Sequence, residues 1–297
     1  MFMAIVERTI ALASRRAGTL LGTGWAYMLL LLAVNLALSN AVAPGASFTT
    51  GSYMTEPLAT SGAATGDRVA GLRILALLAN VLIGFSIAVA YTRRILIDAR
   101  DFFLVANART LKVIFNQILL ALIGLLALIP LFLIAGLVGL ITAGAGFLAF
   151  FAAPFVALML VQRFSMILPA AAVDDPLTLR DSWTATRGMG WAMAFAALLA
   201  SAVLACLVGL WALLLYGIDA LLPADPVTAQ LRSAAFPMGT MTLAVWVFAS
   251  LHATCYGLIR ERFAEKVGLT RDIRARADAR REAARAVRVA RLPGRAE

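Results

Sequence analysis

The only histidine of the chain, His252, lies three positions before Cys255, one of two cysteines. A histidine can take up and release protons near neutral pH. Both lie in a long apolar stretch, where an ionisable group suggests a proton relay. No Asp or Glu occurs in the spans proposed below to pair with His252. A neutral histidine hydrogen-bonded to a neighbouring helix also explains its presence, and we favour that structural role.

Other patterns of catalytic or cofactor-binding residues are absent from the sequence. It contains no phosphate-binding loop, no dinucleotide-binding glycine pattern, no HExxH motif and no zinc-ligand spacing. Cys206 and Cys255 lie in separate apolar stretches, which favours packing residues over a disulfide or a metal pair. A serine nucleophile would need a base, and only His252 could serve. We therefore predict that the protein is not an enzyme and has no cofactor or metal.

A polar segment at 174–191, DDPLTLRDSWTATRGMGW, lies between two apolar stretches. Asp175 followed by Pro176 predicts the start of a short helix, and Gly188 predicts its end. At about 100° per residue, Ser182 and Ala185 share one side of this helix and the bulky or basic residues share the other.

The bulky and basic side of the predicted helix suits the lipid headgroup layer. A tryptophan ring can lie at the hydrocarbon boundary while guanidinium groups bind phosphates. Two further arginines end another apolar stretch on the same side of the membrane. The residues predicted to contact lipid headgroups are Arg180, Trp183, Arg187, Arg93 and Arg94.

The elements that position these residues belong to one class. Hydrophobic residues make up 62% of the 297 positions and charged residues 14%, and the mean hydropathy is +0.89. A soluble domain has about half of its residues apolar. The alternating strands of a membrane barrel are not seen. The sequence therefore predicts an all-α integral membrane protein.

Six transmembrane helices account for the apolar stretches. Residues 113–162 contain no charge and are too long for one crossing of the bilayer. The glycines between positions 136 and 146 predict a turn there, and Pro130 and Pro154 predict kinks in the two flanking helices. The predicted spans are approximately 20–42, 72–91, 113–135, 142–162, 189–217 and 236–259.

A similar segment precedes each pair of spans. VERTIALASRRAG, DFFLVANARTLKV and PLTLRDSWTATRG each combine apolar residues at helical spacing with Arg or Lys just before the next span. We predict three hairpins, each preceded by a cytoplasmic interfacial helix. Generic stop-transfer chemistry could produce the same pattern, so the repeat remains one of two explanations.

The basic residues predict the orientation. All of the 26 Lys and Arg residues except Arg68, Arg73 and Arg232 fall on the side of the two termini. Basic residues near span ends favour the cytoplasm, so both termini are predicted to be cytoplasmic. Attraction to anionic lipid follows, at about 1 kcal/mol per basic residue near the surface. Nucleic acid is a poorer candidate because no basic platform interleaved with aromatic residues is present.

The stretch 163–191, RFSMILPAAAVDDPLTLRDSWTATRGMGW, resembles the signature of a group of multi-span membrane proteins. The group includes the membrane domain found beside some bacterial glycerophosphodiester phosphodiesterases and related uncharacterised families. In this pattern an Arg opens the segment, a Pro ends the span, and acids precede a short helix before Ser-Trp and Thr-(Arg/Lys)-Gly. The matching positions are Arg163, Pro169, Asp174, Ser182, Trp183, Thr186, Arg187 and Gly188.

The resemblance implies a six-span membrane module and does not imply the phosphodiesterase. That hydrolysis uses paired histidines and metal-binding acids in a separate domain, and this chain has one histidine.

Two asparagines lie at similar depth in consecutive spans. Asn35 is about seven residues from the outer end of the first predicted span, and Asn80 is about eight residues from the outer start of the second. Because unpaired amides are costly in hydrocarbon, we predict that the two side chains hydrogen-bond across the first hairpin.

Residues 1–259 are therefore predicted to form the membrane domain, and residues 260–297 an Arg-rich cytoplasmic tail that could dock a protein partner. The predicted role is that of a scaffold or accessory protein whose basic face contacts anionic phospholipid headgroups or a partner. The alternative is a transporter or lipid-handling protein. The Arg-rich composition is typical of a GC-rich bacterium, which suggests the bacterial inner membrane.

Overall fold

The computed structural model of the chain describes residues 1–42, 63–99, 107–142, 145–221, 226–265 and 282. Within these ranges the chain forms α-helices and no β-strand. The helices are α1 (Phe2–Arg15), α2 (Ala17–Val42), α3 (Ala63–Ile97), α4 (Ala108–Ile141), α5 (Ala145–Phe164), α6 (Ile167–Ala172), α7 (Leu179–Ala185), α8 (Gly190–Leu221) and α9 (Pro226–Glu265).

Six stretches of the described chain are long and apolar enough to cross a membrane. They are Ala17–Ala37, Ile74–Ile97, Ala108–Ile141, Leu148–Ala172, Gly190–Ile218 and Gln230–Arg262. The predicted all-α class and the number of six candidate spans are confirmed. The length and composition of these helices indicate a multi-pass membrane protein.

The third candidate span is longer than its prediction at both ends. The glycines at 136 and 139 remain helical, and α4 continues to Ile141. The break between α4 and α5 lies between Ile141 and Ala145, inside the predicted region of 136 to 146, so only the predicted start of the turn at 136 is wrong. An apolar environment favours this outcome, since the helix satisfies backbone polar groups that a turn would leave unpaired.

Consecutive long helices pack as pairs, α2 with α3, α4 with α5 and α8 with α9. Helix α9 also contacts α1, α2 and α3, which places it at the centre of the bundle. It contributes Tyr256 and Leu251 to a core cluster shared with α1, α6 and α8. It contributes Val245 and Ala249 to a second cluster shared with α2 and α3.

The asparagine pair lies between α2 and α3, as predicted. The amide of Asn35 donates to Oδ1 of Asn80 at 2.9 Å, and the amide of Asn80 donates back to Oδ1 of Asn35 at 3.0 Å. Each amide also donates to the backbone of its own helix, at Leu31 and Ala76. The four bonds satisfy both side chains where the surrounding residues are apolar.

The three segments predicted to form interfacial helices differ in how they are built in the structure. Helix α1 is separate from α2, and α7 is separate from α8. In the second segment, the described residues from Ala108 onwards are the first turns of α4, which Asn107 caps by accepting from the backbone of Thr110. The earlier part of that segment, 101–106, lies outside the described residues, as do the tail residues 266–297 except Glu282.

The third of these segments begins its helix later than predicted. Thr178, not Asp175, caps α7 and forms a capping box with Asp181. In a capping box the Thr side chain and the acid three residues later each accept a hydrogen bond from a backbone N–H group. Two donors at the helix start are thereby satisfied, which an Asp followed by Pro does not achieve. Pro169 also does not end a span. It lies in the first turn of α6, where a backbone N–H group has no partner within the helix, so proline is tolerated there.

Candidate functional site

Polar contacts join four parts of the chain at one end of the bundle, which we call the basic end. It comprises α1, the end of α3 with the start of α4, residues 163–189, and the end of α9. Arg8 of α1 pairs with Glu261 of α9 at 2.6 Å. Arg262 of α9 donates to the carbonyl of Arg187 at 3.2 Å. The segments that sequence analysis assigned to one side of the bilayer thus lie together.

Asp174 connects two helices through one carboxylate. Its Oδ2 accepts from Nη1 of Arg93 at 3.3 Å and from Nε of Arg109 at 2.7 Å. Arg93 also donates to the carbonyl of Ala172 at 3.0 Å, which satisfies a backbone acceptor at the end of α6. Asp174 thereby fixes α3 and α4 to the connection between α6 and α7.

This geometry corrects one predicted headgroup contact. The side chain of Arg93 is only 9% exposed and is engaged by Asp174 and Ala172. It is therefore an internal partner rather than a headgroup ligand. Arg94 is 19% exposed and pairs with Asp98 at 3.2 Å.

Asp175 binds α9 instead of starting a helix. Its carboxylate accepts a hydrogen bond from the hydroxyl of Tyr256, a buried residue. A buried phenol usually finds such a partner, and the carboxylate supplies a charged acceptor. No local pattern in the sequence pairs these two residues, which are 81 positions apart.

Arg163 and Trp183 form a stacked clamp between α5 and α7. The guanidinium carbon lies 3.3 Å from the centroid of the indole ring, and the ring of Phe164 stacks on the same indole at 5.2 Å. Nη2 of Arg163 donates to the carbonyl of Trp183 at 2.8 Å. The hydroxyl of Ser182 donates to the carbonyl of Arg163 at 2.6 Å. The clamp combines a cation–π contact with hydrogen bonds to carbonyl groups near the ends of α5 and α7.

Two neighbouring residues complete the clamp. Thr186 accepts from Nε of Arg163 at 3.4 Å and donates to the carbonyl of Ser182 at 2.8 Å. A Cβ at Gly190 would meet the side chain of Arg163 at 3.0 Å, so the glycine leaves room for the arginine. Gly188 has φ of +81°, a backbone conformation that favours glycine.

Most positions of the predicted family signature therefore hold the basic end together. Arg163, Ser182, Trp183 and Thr186 make the clamp, and Asp174 holds the two arginines. Of the predicted headgroup contacts in this segment, Arg180 and Arg187 are exposed and Trp183 is 36% exposed. Ser182 and Ala185 are buried, which agrees with the predicted two sides of the helix.

His252 is not assembled into a catalytic group by the described residues. Its ring stacks on Phe248 at 6.4 Å between centroids, and its Nε2 has no hydrogen-bond partner among the described residues. No group of three metal-ligating side chains occurs in the part of the chain that the structure describes. Cys255 is buried in the core and packs there as predicted. Cys206 is exposed, so the predicted packing role does not hold for it.

The acidic side chains of the basic end are almost all committed within the protein. Asp98, Asp174 and Glu261 pair with arginines. Asp175 holds Tyr256 and Asp181 caps α7. By contrast, five basic side chains have no ion pair, hydrogen bond or ring contact among the described residues. They are Arg15, Arg16, Lys112, Arg180 and Arg187.

Comparisons of the chain with protein-family models, with curated proteins and with solved structures find no match. The resemblance of residues 163–191 to a known membrane family therefore remains a prediction.

Proposed function

We propose that the chain is a non-enzymatic multi-pass membrane protein whose basic end binds anionic phospholipid headgroups, as a scaffold or accessory protein of a bacterial inner membrane. The observation that carries the proposal is the unequal use of charge at that end. Five carboxylates there engage arginines, a hydroxyl and a helix start, whereas five cationic side chains have no ion pair, hydrogen bond or ring contact among the described residues. Phosphates of the adjacent leaflet are the nearest abundant anions.

Free guanidinium groups suit this task better than paired ones. An arginine can donate two parallel hydrogen bonds to a phosphate only when its donors are not already used. Arg180 and Arg187 are exposed and free of ion pairs within the described residues, and Trp183 lies between them in sequence. At about 1 kcal/mol per basic residue near an anionic surface, a few such residues give a clear preference for anionic lipid.

The test compares two pairs of charge-removing substitutions at the same end of the bundle. One variant carries Arg180→Gln and Arg187→Gln. The control carries Arg8→Gln and Arg94→Gln, which remove the same charge from side chains that are already paired. Both are reconstituted in vesicles of equal phosphatidylglycerol and phosphatidylethanolamine, and the lipids retained in polymer-bounded discs are quantified.

We expect the first variant to lose most of its enrichment in phosphatidylglycerol and the control to keep more of it. Enrichment should also fall as salt rises, because exposed charges are screened. Equal enrichment in wild type and in the first variant would overturn the proposal. So would an equal loss in both variants, since it would show only a diffuse attraction without contacts at these arginines.

The proposed orientation has its own test. Both termini are proposed to be cytoplasmic because the basic end includes α1 and the end of α9. Green fluorescent protein fused after residue 297 should fluoresce when the chain is expressed in a bacterium. A dark fusion, together with an active alkaline phosphatase fusion at the same position, would overturn the orientation.

A further inference from the structure

Three arginines from different parts of the fold meet around the C-terminal end of α7. Arg163, from the end of α5, donates to the carbonyl of Trp183 at 2.8 Å and to the hydroxyl of Thr186 at 3.4 Å. Arg262, from the end of α9, donates to the carbonyl of Arg187 at 3.2 Å. Arg187 itself directly follows α7 and is exposed. We call Arg163, Arg187 and Arg262 the arginine cluster.

The positive charge of the arginine cluster is not balanced within the described residues. None of its three guanidinium groups has a carboxylate within salt-bridge distance there. Glu261, which precedes Arg262 in sequence, pairs with Arg8, and Asp181 is used in the capping box of α7. The carbonyl and hydroxyl groups that accept hydrogen bonds from the cluster carry no net charge. Three formal positive charges therefore remain in a small volume.

Like charges oppose each other within the cluster, and one of them is held in place. The guanidinium of Arg187 is close enough to repel that of Arg163. Arg163 does not turn away, because its guanidinium carbon stacks 3.3 Å from the centroid of the Trp183 ring and its stem packs against Gly190. Such an arrangement favours a bound anion, which relieves the repulsion and meets a planar group that is already oriented.

The cluster also keeps hydrogen-bond donors for that anion. Arg163 uses Nε and Nη2, which leaves Nη1 without a partner in the part of the chain that the structure describes. Arg262 uses only Nη1, and the side chain of Arg187 makes no hydrogen bond to a described residue. A phosphate group offers several oxygen acceptors at once, so it suits donors that come from more than one guanidinium.

The arginine cluster lies at the level where lipid phosphates are expected. Arg262 is the last residue of the candidate span Gln230–Arg262, and Arg187 lies three residues before the span Gly190–Ile218. Trp191, in the first turn of α8, is 49% exposed. Exposed tryptophans are typical of the boundary between hydrocarbon and headgroups. A lipid of the adjacent leaflet can therefore bring its phosphate to the cluster.

The number of charges favours one class of headgroup. A phosphodiester lipid such as phosphatidylglycerol carries one negative charge, whereas a phosphomonoester carries about 1.5 to 2 negative charges at neutral pH. We propose that the arginine cluster is a binding site for the phosphomonoester headgroup of a membrane lipid. This inference rests on the proposed function, in which the basic end binds anionic headgroups, and it adds one defined position and one class of headgroup.

Two arginines of the same short segment provide a matched pair of variants. Arg187→Gln removes a charge from the cluster. Arg180→Gln removes the same charge from an exposed arginine of α7 that makes no printed contact with the cluster. Each full-length protein is titrated in a non-ionic detergent by isothermal calorimetry. The ligands are dioctanoyl phosphatidic acid, dioctanoyl phosphatidylglycerol, dioctanoyl phosphatidylcholine and inorganic phosphate. Arg262→Gln is measured alongside.

We expect the wild type to bind one phosphatidic acid per chain, about tenfold more tightly than phosphatidylglycerol. Arg187→Gln should weaken the binding of phosphatidic acid about tenfold, the effect of losing one charged hydrogen bond, and Arg262→Gln should do the same. Arg180→Gln should change it less than about threefold. Since the side chain of Arg187 makes no hydrogen bond or ion pair to a described residue, its variant should unfold at the wild-type temperature, which separates lost binding from a lost fold.

Four results would overturn the inference, and they differ in what they leave standing. Equal weakening by Arg187→Gln and Arg180→Gln would show a diffuse attraction, which removes the defined site and leaves the proposed function intact. Phosphatidylglycerol bound as tightly as phosphatidic acid would remove the class of headgroup. Inorganic phosphate bound as tightly as phosphatidic acid would show that the anion is not a lipid. Binding of neither anionic lipid above the level of phosphatidylcholine would refute the proposed function as well.

Discussion

Replacing Asp174 with Asn removes the charge that two arginines share while keeping the size of the side chain. The backbone tolerates the change, because Asp174 has φ of +59° and Asn adopts this region more readily than other residues with a side chain. The substitution therefore isolates the loss of the ion pairs from a loss of backbone fit. It takes the carboxylate of Asp174 away from the guanidinium of Arg93, which is 9% exposed.

The expected cost follows from the exposure of the two partners. Removing one partner of a fully buried ion pair costs about 3 to 5 kcal/mol, and an exposed pair is worth at most about 1 kcal/mol. The side chain of Asp174 is 46% exposed and that of Arg93 is 9% exposed. We therefore expect a free energy of unfolding lower by about 2 kcal/mol, an intermediate value. At about 2 to 4 °C per kcal/mol, the unfolding midpoint falls by about 4 to 8 °C.

The assay is thermal unfolding in a mild detergent at one fixed scan rate, and tryptophan fluorescence monitors the transition. Arg93→Met is measured as the partner variant, because Met is about as long and carries no charge. We expect it to cost about 1 kcal/mol, since Asp174 keeps its contact with Arg109 at 2.7 Å. The double variant should cost about 2 rather than about 3 kcal/mol, because the Arg93 charge that Asp174 had balanced is no longer present.

Additive effects in the double variant would refute this reasoning. They would mean that the two side chains act independently and that the short distances between them carry no coupling energy. Arg109→Gln serves as the control. Its side chain is 41% exposed, so the same argument gives it a loss of less than about 1 kcal/mol.

Two further predictions use the same unfolding assay. Gly239→Ala should lower the free energy of unfolding by about 1 to 3 kcal/mol, because a Cβ there would overlap the rigid ring of Trp211; Gly84→Ala should cost less than about 1 kcal/mol, because the overlapping atoms belong to the flexible side chain of Met241. Equal losses would contradict the difference in rigidity. Asn80→Leu should cost about 0.6 to 2 kcal/mol by removing both hydrogen bonds between the two amides, and replacing both amides with Leu should recover part of that loss. No recovery in the double variant would argue against the pair.

The sequence was most informative where one physical constraint dominated. Hydrocarbon penalises unpaired amides, and the distance of each asparagine from the end of its span fixes its depth. Asn35 and Asn80 could therefore be paired from the sequence alone, and their hydrogen bonds of 2.9 and 3.0 Å agree with that prediction. Span count and helical class could be predicted for the same reason, since the bilayer limits the possible structures.

The sequence was less informative where a distant partner decides the role of a residue. Arg93 ends a candidate span, and a basic residue in that position is typical of a headgroup anchor. Its partners, Ala172 and Asp174, are about 80 positions away, and no local pattern identifies them. Asp175 is a similar case, because Tyr256 engages its carboxylate and Thr178 takes over the helix cap.

The two roles of charge at the basic end can be separated by their sign. Much of the internal cohesion depends on carboxylates, since Asp174 and Asp175 tie α3, α4 and α9 to the connection that precedes α7. Attraction to anionic lipid depends instead on the basic side chains left without acidic partners. Removing Asp174 therefore weakens the bundle while making its end more positive, so stability and anionic lipid retention should change in opposite directions. A protein that merely lost its fold would lose both, and this difference separates the binding of lipid from the stability of the surface that binds it.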